Sequence, residues 1–341
     1  MTDELPGLDL GKLRSHLDVE RPGLVRGELT GELVQGGRSN LTYLVGDGTS
    51  QWVVRRPPLG HVLATAHDMS REYTVLSALV GSSVPVPRTE LLCRDEEVLG
   101  APFYVMDYVP GTVYRRPEQT EQLSVPERVA LAEQLMDVLA DLHGIDPTSV
   151  GLGDFGRPEG FLQRQVKRWR KQLESSASRE VPGIEQLAER LAAAVPETRR
   201  NGIVHGDYRL DNVIVDDAQQ IVAVLDWEMA TVGDPLTDLG LLAVYWEGFS
   251  GISDNPIAKG VGPEYEFPSA RQLLERYGAR SELDLSDLGW YIAFGYFKIA
   301  VILEGIHYRF IQNQTVGEGF DHVGALVAPL VAQGLATLEE A

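Results

Sequence analysis

Three oxygen-bearing side chains at fixed spacing are the first feature of this chain that could do chemistry. Asp207 closes His205-Gly206-Asp207, Asn212 follows five residues later, and Asp226 comes fourteen residues after that, in Leu225-Asp226-Trp227-Glu228. A carboxylate able to take a proton, then an amide and a second carboxylate able to share a hard cation, is the order in which phosphoryl-transfer sites supply their parts. The stretch between them explains the spacing. Val213, Ile214 and Val215 read as a short strand, Asp216 to Gln220 as a turn, and Ile221 to Leu225 as the return strand. A hairpin brings its open ends together, which predicts Asn212 beside Asp226. Two oxygen ligands at one point suit Mg²⁺, which keeps several waters and shares the rest with nucleotide phosphates. Asp and Asn also favour turns and strand ends for local reasons, so the five-residue spacing alone says little. Apolar Ile203-Val204, then His-Gly-Asp, then Asn, then a strand ending in Asp make the chemical reading specific.

Elements upstream must position these groups. Residues 7–20 read as an opening helix, with Leu8, Leu10, Leu13 and Leu17 near helical spacing. Strands are predicted over Leu29–Leu33, Leu41–Val45 and Trp52–Arg55, around Leu91-Leu92-Cys93, and over Val98–Met106. A helix is predicted over Asp68–Leu79. After Pro110-Gly111 the pattern turns helical: Val125–His143, a basic stretch Phe161–Leu173, Ile184–Ala194 and a long apolar Asp287–Gln312. Gln35-Gly36-Gly37-Arg38-Ser39-Asn40 falls between the first two strands. Glycine there lets backbone N–H groups approach phosphates, although a plain hairpin turn has the same composition.

The bulk properties narrow the function. The 341 residues are 43% hydrophobic and 23% charged, enough for a real core in one large or two modest domains. A formal net charge of −20 argues against a nucleic-acid partner, which needs a basic footprint. It suits a cationic substrate or an acidic, well-solvated surface. One cysteine, Cys93, allows no intramolecular disulfide and fits a reducing compartment. An acidic start without an apolar core predicts no signal peptide. No run of about eighteen apolar residues is present, so no membrane span is expected. A cytoplasmic location follows as the expectation, with the oligomeric state left open. Gly151-Leu152-Gly153-Asp154-Phe155-Gly156 fits the dinucleotide-binding glycine pattern literally, but no strand precedes it and Arg157-Pro158 follows.

The string His205-Gly206-Asp207 to Asn212, with Leu225-Asp226-Trp227-Glu228 and Gly233-Asp234-Pro235-Leu236-Thr237-Asp238-Leu239, resembles the aminoglycoside phosphotransferase and choline kinase superfamily, small-molecule relatives of the protein kinases. The resemblance is dense from about residue 29 to residue 240. It implies an α+β, two-lobed protein-kinase-like fold, with a β-rich N-terminal nucleotide lobe over 1–107 and a mainly helical C-terminal lobe over 108–341. The helical insertion at 145–200 would shape the acceptor site. It implies ATP or GTP with Mg²⁺, and a small-molecule hydroxyl as phosphoryl acceptor. Asp207 would be the catalytic base, and Asn212 and Asp226 the metal ligands. Gly36, Gly37, Ser39 and Asn40 match the family's G-G-x-S-N phosphate loop. On the third strand relatives commonly carry Lys; here Val53-Val54-Arg55-Arg56 stands in its place, so Arg55 would meet the phosphates, or Arg56 if the register slips by one. Glu72 would be the partner carboxylate, and backbone at Asp107 and Val109 would hold the adenine. His205, Asp234 and Asp238 read as structural, and Trp227 as filling the place of the protein-kinase Phe.

The acceptor is less determined. Val54-Arg55-Arg56-Pro57-Pro58 resembles a branch associated with acyl-CoA dehydrogenases, which implies a hydroxyacyl acceptor in place of an aminoglycoside or choline. The cluster Arg164, Lys167, Arg168, Arg170 and Lys171 could meet an anionic acceptor or form a solvated helix face. Glu304, His307 and Arg309 could face the acceptor or solvent, with solvent favoured. A catalytically inactive nucleotide-binding scaffold is the alternative from another class. A protein kinase is disfavoured: only eleven residues separate Asp226 from Asp238, and no A-P-E segment follows.

Overall fold

The computed structural model describes residues 5–34, 40–59, 68–176, 178–250, 260–314 and 320–340. In chain order the elements begin with α1 (Leu10–Glu20), β1 (Thr30–Leu33), β2 (Leu41–Gly46), β3 (Gln51–Arg56), α2 (Met69–Leu79), β4 (Thr89–Cys93), α3 (Glu96–Leu99) and β5 (Phe103–Asp107). There follow α4 (Pro117–Thr120), α5 (Val125–Gly144), α6 (Phe161–Ser175), α7 (Ile184–Ala193), β6 (Gly202–Val204), β7 (Val213–Val215), β8 (Ile221–Val224) and β9 (Thr231–Gly233). The chain closes with α8 (Leu236–Glu247), α9 (Ala270–Arg280), α10 (Leu288–Ile311) and α11 (Val327–Glu340). It divides into two compact units. The first holds Met1–Thr112 with Ile214–Asp216 and Val222–Ala230; the second holds the rest.

The first unit is built on an antiparallel sheet in the order β1-β2-β3-β5-β4. Its core is apolar and continuous: Leu13 and Leu17 of α1 join Tyr43, Val45, Trp52, Val54, Phe103 and Val105 of the sheet. Strand alternation decides which arginine goes where. Trp52, Val54 and Arg56 are buried on one face of β3, so Val53 and Arg55 point to the other. Helix α2 starts at Asp68, whose carboxylate accepts from the Ser70 N–H, and it buries Glu72, Val75, Leu76 and Leu79. The expected strand over Val98–Met106 is instead two elements, α3 and β5. Asp95 caps α3 by accepting from the Glu97 N–H, and Gly100 ends it at φ +80°. Acidic first-turn residues, an Asp cap and a terminal glycine outweigh the strand preference of Val98. Strands β7 and β8 pair as the predicted hairpin. Within the first unit it is tied down by a Thr112–Val215 bridge and by the Val224 N–H donating to the Pro85 carbonyl at 2.8 Å.

The second unit is helical apart from the β6–β9 pair, in which Gly202, Ile203 and Val204 face Gly233, Val232 and Thr231. Helix α10 is its spine, burying Trp290, Phe294, Phe297, Ile299 and Leu303. By length and composition α10 is apolar enough to cross a membrane, but 67% of that window is buried inside the protein, as in a core helix. Helices α8 and α10 approach through glycines. A Cβ on Gly240 would lie 2.2 Å from the Tyr291 carbonyl oxygen, and one on Gly295 would lie 2.8 Å from that of Gly240. Helix α5 runs Val125–Gly144, as its periodicity predicts, whereas α9 and α11 are parts that periodicity alone did not place.

Candidate active site

On the first unit, the outward face of β3 presents Arg55 to α2. Its guanidinium lies 3.3 Å from Glu72 and 3.5 Å from Asp226. Glu72 is 1% exposed, in the first turn after the Asp68 cap, so the cap fixes the carboxylate along with the helix. Burial pushes the Glu72 carboxyl above the usual range, with the Arg55 charge working against it. Burial alone would lower the Arg55 value, but Glu72, Tyr104, Asp226 and Glu228 outweigh it and raise it. Arg56 has a different task. It lies in the core, donating to the carbonyls of Gly7 and, at 2.7 Å, Leu99.

Asp226 has φ +65° and ψ 60°, a left-handed conformation that a non-glycine residue adopts at a cost of about 1–2 kcal/mol. That conformation turns the chain sharply between β8 and the helical turn at Trp227, which is buried and donates from Nε1 to the Val224 carbonyl at 3.0 Å. Two contacts hold the neighbourhood. Asn40 donates to Glu228 at 3.3 Å, and Arg71 of α2 donates to the Ala230 carbonyl at 3.1 Å. Among the described residues, four buried polar atoms here, Arg55 Nε, Glu72 Oε2, Tyr104 OH and Asp226 Oδ1, lack a close hydrogen bond, although Asp226 Oδ1 is the atom 3.5 Å from the Arg55 guanidinium and the Tyr104 hydroxyl interacts with the Glu72 carboxylate. Buried polar atoms with unused hydrogen-bonding capacity are costly, and this set, a carboxylate oxygen beside a guanidinium donor, fits a metal ion with phosphate oxygens. Among the described residues no three His, Cys, Asp or Glu side chains converge as a metal site. A cation held by one carboxylate, one amide and nucleotide oxygens needs no such cluster. Asp107 ends β5, its N–H donating to the Arg88 carbonyl at 2.8 Å, and Val109 follows outside regular structure. Gly36, Gly37 and Ser39 lie outside the described residues.

On the second unit, the loop from His205 to Asn212 is gripped on every side. Asp238, near the start of α8, accepts from the His205 N–H at 2.7 Å and from the Gly206 N–H at 2.8 Å. Behind it, His143 Nε2 lies 3.3 Å from the same carboxylate, and His143 Nδ1 lies 2.8 Å from the Tyr277 hydroxyl. Burial by itself would raise the Asp238 value, but the hydrogen bond and charge of His143, with the Gly206 N–H, bring it below the usual carboxylate range. His205 is fully buried, and its Nδ1 accepts from the Asp207 N–H at 3.3 Å. Asn212 donates from its amide to the Asp207 carbonyl at 2.8 Å and to the Asp207 carboxylate at 3.1 Å. That orientation leaves the amide oxygen as the atom for a cation. Asp234 accepts from the Leu236 N–H at 3.1 Å and from the Tyr291 hydroxyl at 2.8 Å, locking the start of α8.

Several groups near Asp207 escaped the sequence reading. Arg209 pairs with Asp211 and lies 4.5 Å over the ring of Tyr245. Burial first, then the Asp207 carboxylate, raises the Tyr245 phenol. Lys298 of α10 donates to the Gly206 carbonyl at 2.9 Å and sits 5.7 Å from the ring centre of Trp169. The available signal for Lys298 was a lone cation inside an apolar helical run. The basic face of α6 is largely solvated: Arg164, Lys167, Arg168 and Lys171 are exposed, and Arg170 lies 3.8 Å from Glu185. The favoured solvent placement of Glu304 is corrected. It is 1% exposed and paired with Arg179 at 2.7 Å, because α10 turns that face into the core. Arg309 is exposed and His307 half-buried.

The family model described as the phosphotransferase enzyme family, APH, matches residues 30–272. The chain belongs to the APH phosphotransferase family. An APH-family crystal structure from Ralstonia eutropha JMP134, provisionally assigned as an aminoglycoside phosphotransferase, superposes with a TM-score of 0.85 at 31% identity, covering 97% of this chain and 98% of that one. The ternary complex of APH(4)-Ia with AMP-PNP and hygromycin B superposes at 0.63 with 16% identity, over 96% of this chain and 99% of that one, which shows the shared kinase-like APH fold alone. Among curated relatives, acyl-CoA dehydrogenase family member 11 of Gallus gallus is 33% identical over 338 residues, 96% of this chain and 43% of that protein. The Homo sapiens protein of the same description is 32% identical over 308 residues, 88% of this chain and 39% of that protein. The chain thus spans less than half the length of these relatives.

Proposed function

We propose that this APH-family protein is an ATP- and Mg²⁺-dependent kinase that moves the γ-phosphoryl group to a hydroxyl of a small molecule. The observation that carries the reading is the buried cluster of Arg55, Glu72 and Asp226, which among the described residues keeps hydrogen-bonding capacity unused. They are the donor and acceptors that a metal-bound phosphate chain would complete. Arg55 binds phosphate oxygens and Glu72 fixes Arg55; an Arg fork can do this bidentately where Lys offers a point charge. Asp226 and the amide oxygen of Asn212 would hold the metal, which would offset charge on the phosphates. Asp207 accepts a hydrogen bond from the acceptor hydroxyl and takes its proton. The hydroxyl oxygen bonds to the γ-phosphorus as the bridge to the β-phosphate breaks, releasing ADP. In the role that the family's phosphate loop implies, Gly36, Gly37, Ser39 and Asn40 would meet the phosphates, and backbone at Asp107 and Val109 would hold the base.

Among aminoglycoside, choline and hydroxyacyl acceptors, we favour the hydroxyacyl type. Lys298, on the Gly206 carbonyl, and Arg209, over the ring of Tyr245, place two cations beside the Asp207 loop, a poor setting for a polycation. The curated relatives are described as acyl-CoA dehydrogenase family members. The test is ADP release with Mg²⁺·ATP across a panel of hydroxyacyl-CoAs, choline-type amines and aminoglycosides, beside an Asp207→Asn protein. Acceptor-dependent release lost in the variant supports the kinase and names its acceptor class. Nucleotide binding without release for any acceptor favours the scaffold.

A further inference from the structure

Asp207 can act only if the peptide before it is held still, and its restraints come from three directions. Gly206 has φ +86°, a conformation in which a side chain would be strained, so the loop turns sharply just ahead of Asp207. The Gly206 N–H donates to Asp238. The next peptide plane is fixed at both ends: its N–H, on Asp207, donates to His205 Nδ1, and its carbonyl, on Gly206, accepts from Lys298 Nζ at 2.9 Å. Two of these restraints come from the neighbourhood of the loop and the start of α8. The third comes from the middle of α10, far along the chain.

The placement of Lys298 follows from packing. Helix α10 is apolar from Trp290 to Leu303 except for this one cation. Gly240 and Gly295 let α8 and α10 cross at backbone contact, and Lys298 lies three residues beyond Gly295, about one turn on. The close crossing therefore presents Asp238 of α8 and Lys298 of α10 to the same loop. On its other side the ammonium meets the face of Trp169, itself 7% exposed. Lys298 is half-buried; an ammonium drawn partly out of water is costly without partners, and a hydrophobic residue would fill a core helix at no such cost.

Building on the kinase reading, we infer that Lys298 is a positioning residue: through the Gly206 carbonyl it fixes the peptide that carries Asp207. The ammonium is unnecessary for the stability of α10 and necessary for the geometry of the loop. Removing it leaves a carbonyl without its donor one residue from the base, and a small misplacement of a reacting group can cost on the order of 100-fold in rate.

The test compares wild type, Lys298→Met and Lys298→Arg in the full chain. It reads thermal midpoint, hydrogen exchange of the peptide spanning 203–212, and kcat and KM for Mg²⁺·ATP with the best acceptor. For Lys298→Met we expect an unchanged or higher midpoint, exchange in that peptide faster by roughly 5- to 30-fold, kcat lower by roughly 10- to 100-fold, and an unchanged KM for ATP. Lys298→Arg, which keeps a donor, should recover part of both losses. Exchange in 203–212 unaltered by Lys298→Met overturns the inference, whatever happens to activity. So does a raised acceptor KM at constant kcat, which would make Lys298 an acceptor contact. Should wild type turn over no acceptor, the kinase reading falls, and the exchange measurement still decides the role of Lys298. Should Lys298→Met fail to fold, Lys298→Arg with wild-type exchange in 203–212 but a midpoint well below wild type would mark a purely structural residue and overturn it as well.

Discussion

The two functional regions are finished to different degrees. Around Arg55 in the first unit, four buried polar atoms lack a close hydrogen bond among the described residues. In the His205–Asn212 loop of the second unit, the backbone N–H groups of His205, Gly206 and Asp207 each have one, as does the Gly206 carbonyl. On the proposed function, a ligand completes the first region, while the second is held rigid before any ligand arrives. That division suits phosphoryl transfer, where little covalent chemistry falls to the protein and positioning with electrostatics does most of the work. It also assigns different failures to the two regions: damage to the first should appear in nucleotide binding, damage to the second in turnover or in stability.

The largest expected effect is on the rigid side. Asp207→Asn should lower kcat by roughly 100- to 10,000-fold, the range of general-base contributions, while leaving nucleotide affinity near wild type, as read by steady-state kinetics with calorimetry. On the side left for a ligand, Arg55→Met should weaken Mg²⁺·ATP by roughly 10-fold or more, about the loss of one charge-assisted hydrogen bond to phosphate. Arg55→Lys should recover only part of it, since a point charge cannot replace the fork.

Stability effects separate the regions further. Asp238→Asn removes a charged acceptor from two loop N–H groups and should cost about 2–3 kcal/mol at pH 7 in urea unfolding. The Asp238 value in the folded protein is depressed, so its contribution is present above the unfolded value near pH 3.9 and is lost as pH falls through the folded one. The wild-type and Asp238→Asn curves should therefore run parallel from about pH 5 to 8 and converge in acid; curves that stay parallel throughout would remove Asp238 from the account. Gly240→Ala should cost about 1–3 kcal/mol by overpacking the α8–α10 crossing, and should slow turnover through Lys298 as well. The smallest effect is at the α2 cap: Asp68→Ala should cost about 1 kcal/mol in stability, with a modest rise in KM for ATP as Glu72 loosens.

Much of this was legible in the sequence. The kinase-like fold, the hairpin between Asn212 and Asp226, and the β3 and α2 elements follow from strand alternation, a cap and a family-like string. Choosing Arg55 over Arg56 needed only the parity of β3, with Trp52 and Val54 marking the buried face. What was not legible is non-local. Nothing near residue 298 says that its ammonium reaches residue 206, because that contact depends on two glycines crossing on helices far apart in sequence. Glu304 was misplaced for the same reason: its partner Arg179 lies 125 residues away. The strand expected at Val98 failed locally, where cap chemistry at Asp95 and Gly100 outweighed a single β-branched residue.

The most direct test is equilibrium binding of Mg²⁺·AMP-PNP to wild type, Asp226→Asn and Asp207→Asn, each measured with and without Mg²⁺. The account predicts that Asp226→Asn loses the Mg²⁺-dependent part of affinity and that Asp207→Asn binds as wild type does while failing to turn over ATP. Equal weakening in both variants, or Mg²⁺-independent binding in wild type, would contradict the division between a ligand-completed region and a preformed one.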